Sequence, residues 1–335
     1  MPDVLVVGGG PVGLAAAIEA RLAGLSVTVI EPREGSIDKA CGEGLMPGAV
    51  PLLARLGVEP RGFALRGVSY QDGQREANHA FATGSGLGVR RTTLHTALHN
   101  RAVELGAAFV YERVEALETG PDWVSAAGIQ ADWMLACDGL HSTVARLTGL
   151  HRPAPRSRRR YGLRRHYRVE PWSDLIEVHW NRFGELYVTP TADGMVGIAL
   201  LAKQHTSFDD ALAASPSLQA RLADPVTELR GAGPLRQRTT ARVKDRVMLV
   251  GDASGYVDAI TGEGLRLGFD QARAAVAAIT SGSDYERDWA RITRDFRVLT
   301  SGLAAVATTP LHAAVVPLAK ALPGLYGRAV EALAR

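Results

Sequence analysis

The hydrophobic pattern at the start of the chain predicts a strand, a helix and a second strand in quick succession. Pro2–Val7 is a short apolar run of the kind that forms a buried strand. Leu14–Leu22 has helical spacing of apolar residues, which Gly24 ends, and Leu25–Ile30 is a second apolar run. This order is typical of a βαβ unit, the building block of parallel sheets.

Two stretches further along interrupt the alternation of strands and helices. Residues 61–84 have a strand-like composition, and residues 160–202 hold several alternating runs typical of antiparallel strands. Helical periodicity and short buried runs return around them. We predict these further elements at Arg91–Gly106, Ala107–Tyr111, Trp123–Ala127, Gly128–Gln130, Trp133–Ala136, Phe208–Leu222, Val247–Val250 and Gly264–Ile279.

The simplest fold that accounts for this order is an α/β fold with one discontinuous domain. We predict a Rossmann-type dinucleotide-binding domain, an inserted antiparallel β-sheet domain that holds the substrate, and a helical C-terminal tail. The predicted boundaries are 1–60, 85–150 and 240–283 for the first domain, 61–84 and 151–239 for the second, and 284–335 for the tail.

The tail is rich in alanine and leucine, and we expect Pro310, Pro317 and Pro323 to break its helices. Its apolar runs predict a helical cover over the substrate cavity or the core, which would favour an apolar substrate. Peripheral contact with a membrane interface is the alternative. No apolar run in the chain reaches the roughly 18–20 residues of a membrane span.

The turn between the first predicted strand and helix has the sequence G-G-G-P-V-G, residues 8–13. In such a turn Gly8 allows the tight bend, Gly10 lets the backbone approach a pyrophosphate, and Gly13 lets helix and strand pack closely. The free N–H groups of the helix N-terminus attract phosphate. Glu31, after the second strand, can accept hydrogen bonds from ribose hydroxyls. Together these features predict a dinucleotide site.

Composition narrows the class of protein without naming a ligand. The chain has 335 residues, 46% hydrophobic and 22% charged, with a formal net charge of +3, which is ordinary for a globular protein. Cys41 and Cys137 are far apart, which excludes a disulfide framework or a zinc ribbon, and no metal site is predicted. We expect a cytoplasmic protein, because its thiols fit a reducing compartment and its early first strand leaves no room for a signal peptide.

Three later segments carry further candidate chemistry. Val247–Val250 runs into Gly251-Asp252, which places a carboxylate at the carboxyl edge of the sheet, where ligands bind in open α/β folds. The following turn, residues 262–265, offers backbone N–H groups at a helix start. Asp138-Gly139 follows another apolar strand and opens a helix, with Asp138 or Ser142 as the N-cap. One of the two arginines at 90–91 can pair with phosphate.

The glycine turn with Glu31 and these three later segments, taken in their order along the chain, resemble the flavoprotein monooxygenase and geranylgeranyl reductase superfamily. This superfamily shares the p-hydroxybenzoate hydroxylase fold. The resemblance spans residues 3 to about 280. It implies FAD as the bound dinucleotide, with Glu31 at the adenosine ribose, Arg91 at the phosphate and ribityl region, and Asp252 at the ribityl chain. The predicted cofactor-binding residues are Gly8, Gly10, Pro11, Val12, Gly13, Glu31, Pro32, Arg33, Arg91, Val114, Asp138, Gly139, Gly251, Asp252, Gly262, Glu263, Gly264 and Leu265. The chain departs from the family's Asp-Gly-x-x-Ser-x-Val-Arg pattern, since its arginine comes one residue later, at Arg146.

Residues 39–47, K-A-C-G-E-G-L-M-P, resemble the Cys-Gly-(Gly/Glu)-Gly segment of the geranylgeranyl reductase branch and its hydroxylase relatives. The resemblance implies that this segment lies beside the isoalloxazine ring. Its glycines let the backbone approach a flat ring, Cys41 is small and polarisable, and Glu43 can donate or accept a proton. We therefore take Cys41 and Glu43 as candidate catalytic residues. The alternative is a packing role for Cys41 and a surface position for Glu43.

The basic stretch Arg152–Arg168 is the one run of positive charge. Its alternation predicts a strand with one polar face. On charge alone it could bind nucleic acid. We expect no nucleic acid and favour a basic sheet edge, or a docking surface for NAD(P)H phosphates or an anionic substrate.

The resemblance implies a single-component FAD oxidoreductase that takes electrons from NAD(P)H, which must dock without a second glycine-rich motif. The first hypothesis is a monooxygenase of secondary metabolism, which hydroxylates a hydrophobic aromatic or polyketide-like molecule through a C4a-hydroperoxyflavin. The second is saturation of prenyl double bonds. The third is a non-catalytic flavoprotein that binds nucleic acid or a partner through Arg152–Arg168. Halogenation is disfavoured, because the lysine and Trp-x-Trp-x-Ile-Pro segment of flavin halogenases are not found in matching context.

Overall fold

The structure, a computed structural model, describes residues 1–155 and 159–335. It confirms the predicted α/β class, with parallel and antiparallel sheets and C-terminal helices. The strands are β1 Val4–Val7, β2 Val27–Ile30, β3 Gly44–Leu45, β4 Phe63–Leu65, β5 Gly67–Gln71, β6 Glu76–Ala80, β7 Gly86–Gly88, β8 Ala108–Val110, β9 Leu117–Thr119, β10 Val124–Ala126, β11 Ile129–Ala131, β12 Trp133–Ala136, β13 His151–Arg152, β14 Arg160–Arg168, β15 Leu175–Asn181, β16 Gly184–Thr191, β17 Met195–Lys203, β18 Arg230–Ala232, β19 Arg238–Thr239, β20 Val243–Lys244 and β21 Val247–Leu249.

The predicted helices occur in the expected order, α2 is additional, and the tail shows one difference. Pro317 does not break a helix but lies in the first turn of α9, where its missing N–H costs nothing. The helices are α1 Pro11–Leu22, α2 Val50–Arg55, α3 Arg91–Glu104, α4 Thr143–Leu147, α5 Phe208–Ala213, α6 Pro216–Gln219, α7 Gly264–Ser281, α8 Tyr285–Ala307, α9 Val315–Ala321 and α10 Pro323–Ala334.

The first large sheet has the strand order β20-β21-β12-β1-β2-β8 and is parallel except for β20. It is covered on both faces, which explains why β1 is a continuous apolar run. Val4 and Val6 belong to an apolar cluster with residues of α1, α3 and α7. Leu5 and Val7 pack on the opposite face, in a cluster that includes Val124 of β10. The carboxyl ends of β1, β12 and β21 therefore open at one edge of this sheet.

The second large sheet has the order β18-β14-β17-β16-β15-β5-β6 and is antiparallel apart from the β15–β5 pair. The two stretches of predicted strands thus meet in one sheet, although they are far apart in the chain. The strand β4 instead pairs with β7, in a small sheet with β3. The domain boundaries given above remain a prediction.

The C-terminal helices cover the β5–β6 end of the second sheet. The hydroxyl group of Tyr326, in α10, donates to the carbonyl oxygen of Val68 at 3.1 Å, and its ring lies 5.1 Å from that of Tyr70. One turn further on, Glu331 lies 2.8 Å from the imidazole of His79. The C-terminal helices therefore cover the sheet, and the polar contacts of Tyr326 and Glu331 anchor α10 to it.

A buried ion cluster joins the second sheet to the loop that follows β21. The guanidinium of Arg160 contacts the carboxylate of Glu185 and lies 3.2 Å from that of Asp258. All three side chains are nearly inaccessible to solvent. Two carboxylates thus share one cation, and burial, together with Asp258, raises the pKa of Glu185 to about 7 against the opposing effect of Arg160.

Replacing Glu185 by Gln is expected to flatten the pH dependence of stability. Between the ordinary carboxyl pKa and about 7, the folded state holds more protons than the unfolded state, so the free energy of unfolding falls as pH rises through this window. The full effect is on the order of 3 kcal/mol. Urea unfolding of both proteins at pH 5 to 8 measures it, and parallel curves for the two proteins would contradict the assignment.

Candidate functional site

One cavity of about 300 Å³ extends from the glycine turn to the inner face of the second sheet. Its polar end lies at the carboxyl edge of the parallel sheet, where the sequence predicts a dinucleotide. The lining residues there come from the predicted segments: Gly10, Pro11, Val12, Arg91, Gly139, Asp252, Gly262, Gly264 and Leu265. The structure therefore brings four segments that are far apart in sequence to a single cavity.

The glycine turn has the geometry that each of its glycines predicts. A Cβ on Gly13 would lie 1.8 Å from the carbonyl oxygen of Gly8, so close packing of turn and helix requires glycine there. A Cβ on Gly10 would have only one neighbour within 4 Å, the guanidinium of Arg91 at 3.8 Å, so the backbone at Gly10 faces open space. The helix α1 begins at Pro11 without a side-chain cap, which leaves its N-terminal N–H groups free for an anion.

Glu31 lies directly after β2 and holds the turn from one side. Its Oε2 accepts a hydrogen bond from the backbone N–H of Gly9 at 2.9 Å, and its Oε1 accepts one from Nε of Arg33 at 2.7 Å. On the other side, Nε2 of His95 lies 2.9 Å from the carbonyl oxygen of Gly9. This role of His95 could not be predicted, because a lone histidine in a helix gives no signal of the contact in the sequence.

Two cations, Lys39 and Arg91, and the carboxylate of Asp252 line the cavity. Nε of Arg91 is buried and has no hydrogen-bond partner within the described ranges. Burial, together with Arg33 and Arg91, lowers the pKa of Lys39. Burial raises the pKa of Asp252, although Arg91 and Lys39 oppose this shift. An excess of partly desolvated positive charge favours an anionic group such as a pyrophosphate. Lys39 is a second residue that the sequence analysis did not assign to the cofactor.

The Asp138 segment has a structural role as predicted, and its arginine a local one. The carboxylate of Asp138 accepts from the backbone N–H of Val144 at 3.0 Å, and the hydroxyl of Ser142 accepts from that of Ala145 at 2.8 Å. Arg146 donates to the carbonyl oxygen of His141 at 2.6 Å and so closes this loop. Both candidate caps are used, and Arg146 does not line the cavity.

Two predicted cofactor residues turn their side chains away from the cavity. Val114 is buried in the apolar cluster on the outer face of the parallel sheet. The carboxylate of Glu263 pairs with Arg266 one turn along α7, and burial raises its pKa to about 7. The backbone of the 262–265 turn is the part that faces the cavity. A role for either side chain in cofactor binding stays a prediction.

The Cys41–Gly44 segment forms the wall between the polar and apolar ends. Glu43 is not a surface residue: it is 5% exposed and has a backbone φ of +60°. Its Oε1 accepts a hydrogen bond from the backbone N–H of Arg91 at 2.9 Å, while its Oε2 lies 2.6 Å from Nε2 of His166. A non-glycine residue in this conformation is uncommon and is held here by both contacts.

His166 connects Glu43 to a buried arginine on the same strand. Its Nδ1 lies 3.0 Å from a guanidinium nitrogen of Arg164 and 3.1 Å from the hydroxyl of Thr227. Since the guanidinium can only donate, Nδ1 is the acceptor and Nε2 carries the proton that faces Glu43. Arg164 also contacts the carboxylate of Asp38. A chain of polar groups therefore runs from the cavity wall through β14 toward the partly exposed Asp38.

The polar face of β14 is thus not a solvated basic surface. Arg160 and Arg164 are buried and paired with carboxylates, and Arg165 pairs with Asp209. Residues 156–158 of the predicted Arg152–Arg168 stretch lie outside the described residues. Within its described part, Arg164 holds the sheet against Asp38 and Lys39, and Arg160 holds it against Asp258 in the loop after β21.

The far end of the cavity is apolar and aromatic. The hydroxyl of Tyr187 donates to the carbonyl oxygen of Ile260 at 2.8 Å, which leaves its ring on the wall. Cys41 is partly exposed and lies on the wall with Tyr256. No group of three or more metal-ligating side chains occurs in the described chain. The remaining wall consists of Val68, Tyr70, Ile176, Val178, Leu201, Leu235, Val330 and Leu333.

The fold and the site define a flavin-dependent oxidoreductase. The chain belongs to the FAD binding domain family, whose model matches residues 1–281. The cavity fits this cofactor: besides the unpaired Arg91 nitrogen, a Cβ on Gly42, Gly139 or Gly262 would meet no atom within 4 Å. These three glycines leave open space where the isoalloxazine ring and the phosphates of FAD would lie.

Curated relatives include both reductases and monooxygenases. The chain is 28% identical over 334 residues to a menaquinone reductase from Mycolicibacterium smegmatis, which covers 88% of this chain and 80% of that protein. It is 28% identical over 306 residues to a rifampicin monooxygenase from Streptomyces venezuelae, covering 81% of this chain and 62% of the relative. It is 25% identical over 297 residues to a digeranylgeranylglycerophospholipid reductase from Methanococcus vannielii, covering 80% of this chain and 74% of the relative.

Solved structures show the same fold. A flavoprotein/dehydrogenase from Cytophaga hutchinsonii has a TM-score of 0.85 at 18% identity and covers 99% of this chain and 92% of its own. The flavin-dependent brominase Bmp2 has a TM-score of 0.80 at 19% identity, and the match covers 99% of this chain and 93% of the brominase. At this identity the likeness to a brominase concerns the fold and not the reaction.

Replacing Arg91 by Gln is expected to weaken FAD binding by roughly 10–100-fold, since a charge-assisted pair contributes about 1.5–3 kcal/mol. The backbone contact of Arg91 with Glu43 is kept. Arg90, which does not line the cavity, supplies the control Arg90→Gln. Fluorescence titration of FAD-free protein measures both affinities. Equal losses in the two variants would remove Arg91 from the phosphate site.

Proposed function

We propose that this chain is an NAD(P)H-dependent monooxygenase that hydroxylates a hydrophobic, electron-rich aromatic molecule bearing a hydroxyl group. The observation that carries the proposal is the Glu43–His166 pair, a buried proton acceptor on the wall of a cavity that is otherwise apolar. Bound FAD, once reduced, supplies the activation of oxygen. The protein supplies the orientation of the substrate, the exclusion of water and a place for one proton.

The role of Glu43 follows from its surroundings. With Nε2–H of His166 and the N–H of Arg91 as donors, the carboxylate is fixed at the wall as a hydrogen-bond acceptor. It can accept the proton of a substrate hydroxyl, which raises the electron density of the aromatic ring that must attack an electrophilic oxygen. An isolated alkene has no such proton to give. The ring itself would lie among Tyr70, Tyr187 and Tyr256, where aromatic contacts are favourable.

The relatives give independent support for this class of substrate. Besides rifampicin monooxygenase, an anhydrotetracycline monooxygenase from Streptomyces rimosus is 31% identical over 171 residues, covering 45% of this chain and 33% of its own. These relatives are thus monooxygenases of rifampicin and of anhydrotetracycline.

A mass-spectrometric assay tests the proposal. FAD-loaded protein is mixed with NADPH or NADH and with a long-chain alkyl phenol or 1-naphthol under ¹⁸O2. We expect a product that carries one ¹⁸O atom and NAD(P)H oxidation that depends on the phenol. Oxidation without oxygen incorporation for every phenol tested would contradict the proposal.

The second candidate is saturation of an isolated prenyl double bond. It is favoured by the reductase relatives, which match this chain over about four-fifths of their length. In this reading the Cys41 thiol, partly exposed on the wall, would give a proton to one carbon while the other receives a hydride from reduced FAD. Anaerobic incubation with a menaquinone, followed by reoxidation of the ring to the quinone, would support it if the tail has gained two hydrogens. Because Arg160 and Arg164 are buried, we do not propose the third hypothesis, nucleic-acid or partner binding.

A further inference from the structure

We infer that residues 298–325 dock on an anionic lipid bilayer and that the substrate enters the cavity from it. The entry route rests on the proposed function, since it assumes an apolar substrate, whereas the docking does not. The first observation is in the sequence: residues 298–319 contain no Asp, Glu, Lys or Arg. All the charged residues of α8 lie before Val298.

The second observation is the exposure of this segment. The side chains of Leu311, Leu318 and Leu325 are 64%, 56% and 63% exposed, and Leu322 is 49% exposed. Leu318 and Leu322 lie one helical turn apart. So many large aliphatic side chains within fifteen residues are unusual on a water-facing surface and typical of an interaction site.

The third observation is the shape of the segment. Among the described residues no single helix is long and apolar enough to cross a bilayer, while α8 and residues 310–321 pass that test together, with a bend of 100° between them. Since the first half of α8 is charged, this half stays in water. The uncharged end of α8, the bend and α9 then lie in the interface, as amphipathic segments do.

Charge selects lipid over a second copy of the chain. Lys320 and Arg328 are exposed beside the leucines, whereas Glu331, the one acid from residue 298 onward, is occupied by His79. Anionic headgroups would neutralise both cations. A two-fold symmetric dimer through the same surface would instead place like charges near one another.

The docking segment lies directly behind the wall of the cavity. While the leucines face outward, Val330 and Leu333 of α10 line the apolar end, and Val316 and Ala319 of α9 belong to the core cluster behind it. The bilayer-facing surface and the cavity wall are therefore two sides of one thin layer of helices. An apolar molecule dissolved in the bilayer has a short path to the cavity.

Vesicle flotation of the FAD-loaded full chain tests the docking. We expect the protein to float with vesicles of phosphatidylglycerol and phosphatidylcholine, and less with phosphatidylcholine alone. The triple variant Leu311→Gln, Leu318→Gln, Leu325→Gln should bind these vesicles on the order of tenfold more weakly. Each substitution removes an apolar side chain that would contact the hydrocarbon of the bilayer. A matched control, Leu22→Gln, Val103→Gln, Leu147→Gln, alters three exposed apolar residues elsewhere and should bind as the parent does.

The outcomes separate the two proposals. Flotation needs no turnover, so a protein that floats but hydroxylates no phenol contradicts the proposed function alone. A parent protein that does not float, or a triple variant that floats equally well, overturns the docking. A dimer seen by light scattering, lost in the triple variant and unaffected by vesicles, would assign the surface to a second copy and overturn the docking as well. The flavin absorbance of every variant reports whether it has folded.

Discussion

The variant Gly10→Val is expected to lose FAD binding while the FAD-free protein keeps its stability. The backbone φ of Gly10 is −70°, which any residue can adopt, and an added Cβ meets only Arg91, at 3.8 Å. The added methyl groups would occupy the space that a pyrophosphate needs above the helix N-terminus. We expect FAD affinity to fall by about 100-fold or more, the equivalent of two lost phosphate hydrogen bonds.

The neighbouring glycine gives the contrasting control. A Cβ on Gly13 would lie 1.8 Å from backbone, so Gly13→Ala should destabilise the FAD-free protein itself, by several kcal/mol. FAD titration and thermal unfolding of both FAD-free variants separate the two effects. If Gly10→Val binds FAD normally, or if it unfolds as readily as Gly13→Ala, the turn does not hold the phosphates as we describe.

Glu43→Gln is expected to lower kcat for a phenolic substrate by about 10²–10³-fold, the usual loss when a general base is removed. The amide oxygen of glutamine can still accept from the N–H of Arg91, but its NH2 group would face the N–H of His166, so FAD binding by the variant is measured alongside kcat. The variant cannot take the proton of a substrate hydroxyl. Steady-state oxygen incorporation and the FAD spectrum measure the two properties separately.

The chain contains a matched control for this variant. Glu177 and His179 form another buried pair on the same sheet, 3.0 Å apart, and Glu177 does not line the cavity. Glu177→Gln should therefore leave kcat nearly unchanged. Equal losses in the two variants would show that Glu43 acts through stability, and an undiminished Glu43→Gln would remove it from the proposed proton transfer.

The cofactor end of the site could be predicted from the sequence because its signals are local. The turn at residues 8–13, Glu31 and Gly251-Asp252 each follow an apolar run, and the ends of parallel strands meet at one edge. No single segment identifies the cofactor, but their order along the chain points to FAD. In the structure the turn and Asp252 line one cavity, and Glu31 holds the turn through the backbone N–H of Gly9.

The substrate end could not be predicted in the same way. The alternation of β14 correctly indicates one polar face, but whether that face meets water depends on what packs against it. Here the Asp38–Gly44 loop, more than a hundred residues earlier, brings Glu43 to His166 and Asp38 to Arg164. A basic run that looks like a surface feature is therefore partly an internal network. Lys39 and His95 were missed for the same reason, since their roles depend on tertiary contacts.

The most direct test of the proposed function is the mass of the product when both substrate classes compete for one sample. FAD-loaded protein is given NAD(P)H, ¹⁸O2, a long-chain alkyl phenol and a menaquinone with an unsaturated tail. We predict that the phenol gains one ¹⁸O atom and that the menaquinone tail, analysed after reoxidation of the ring to the quinone, is unchanged. A tail that gains two hydrogens, with an unaltered phenol, would contradict the monooxygenase account and establish the reductase.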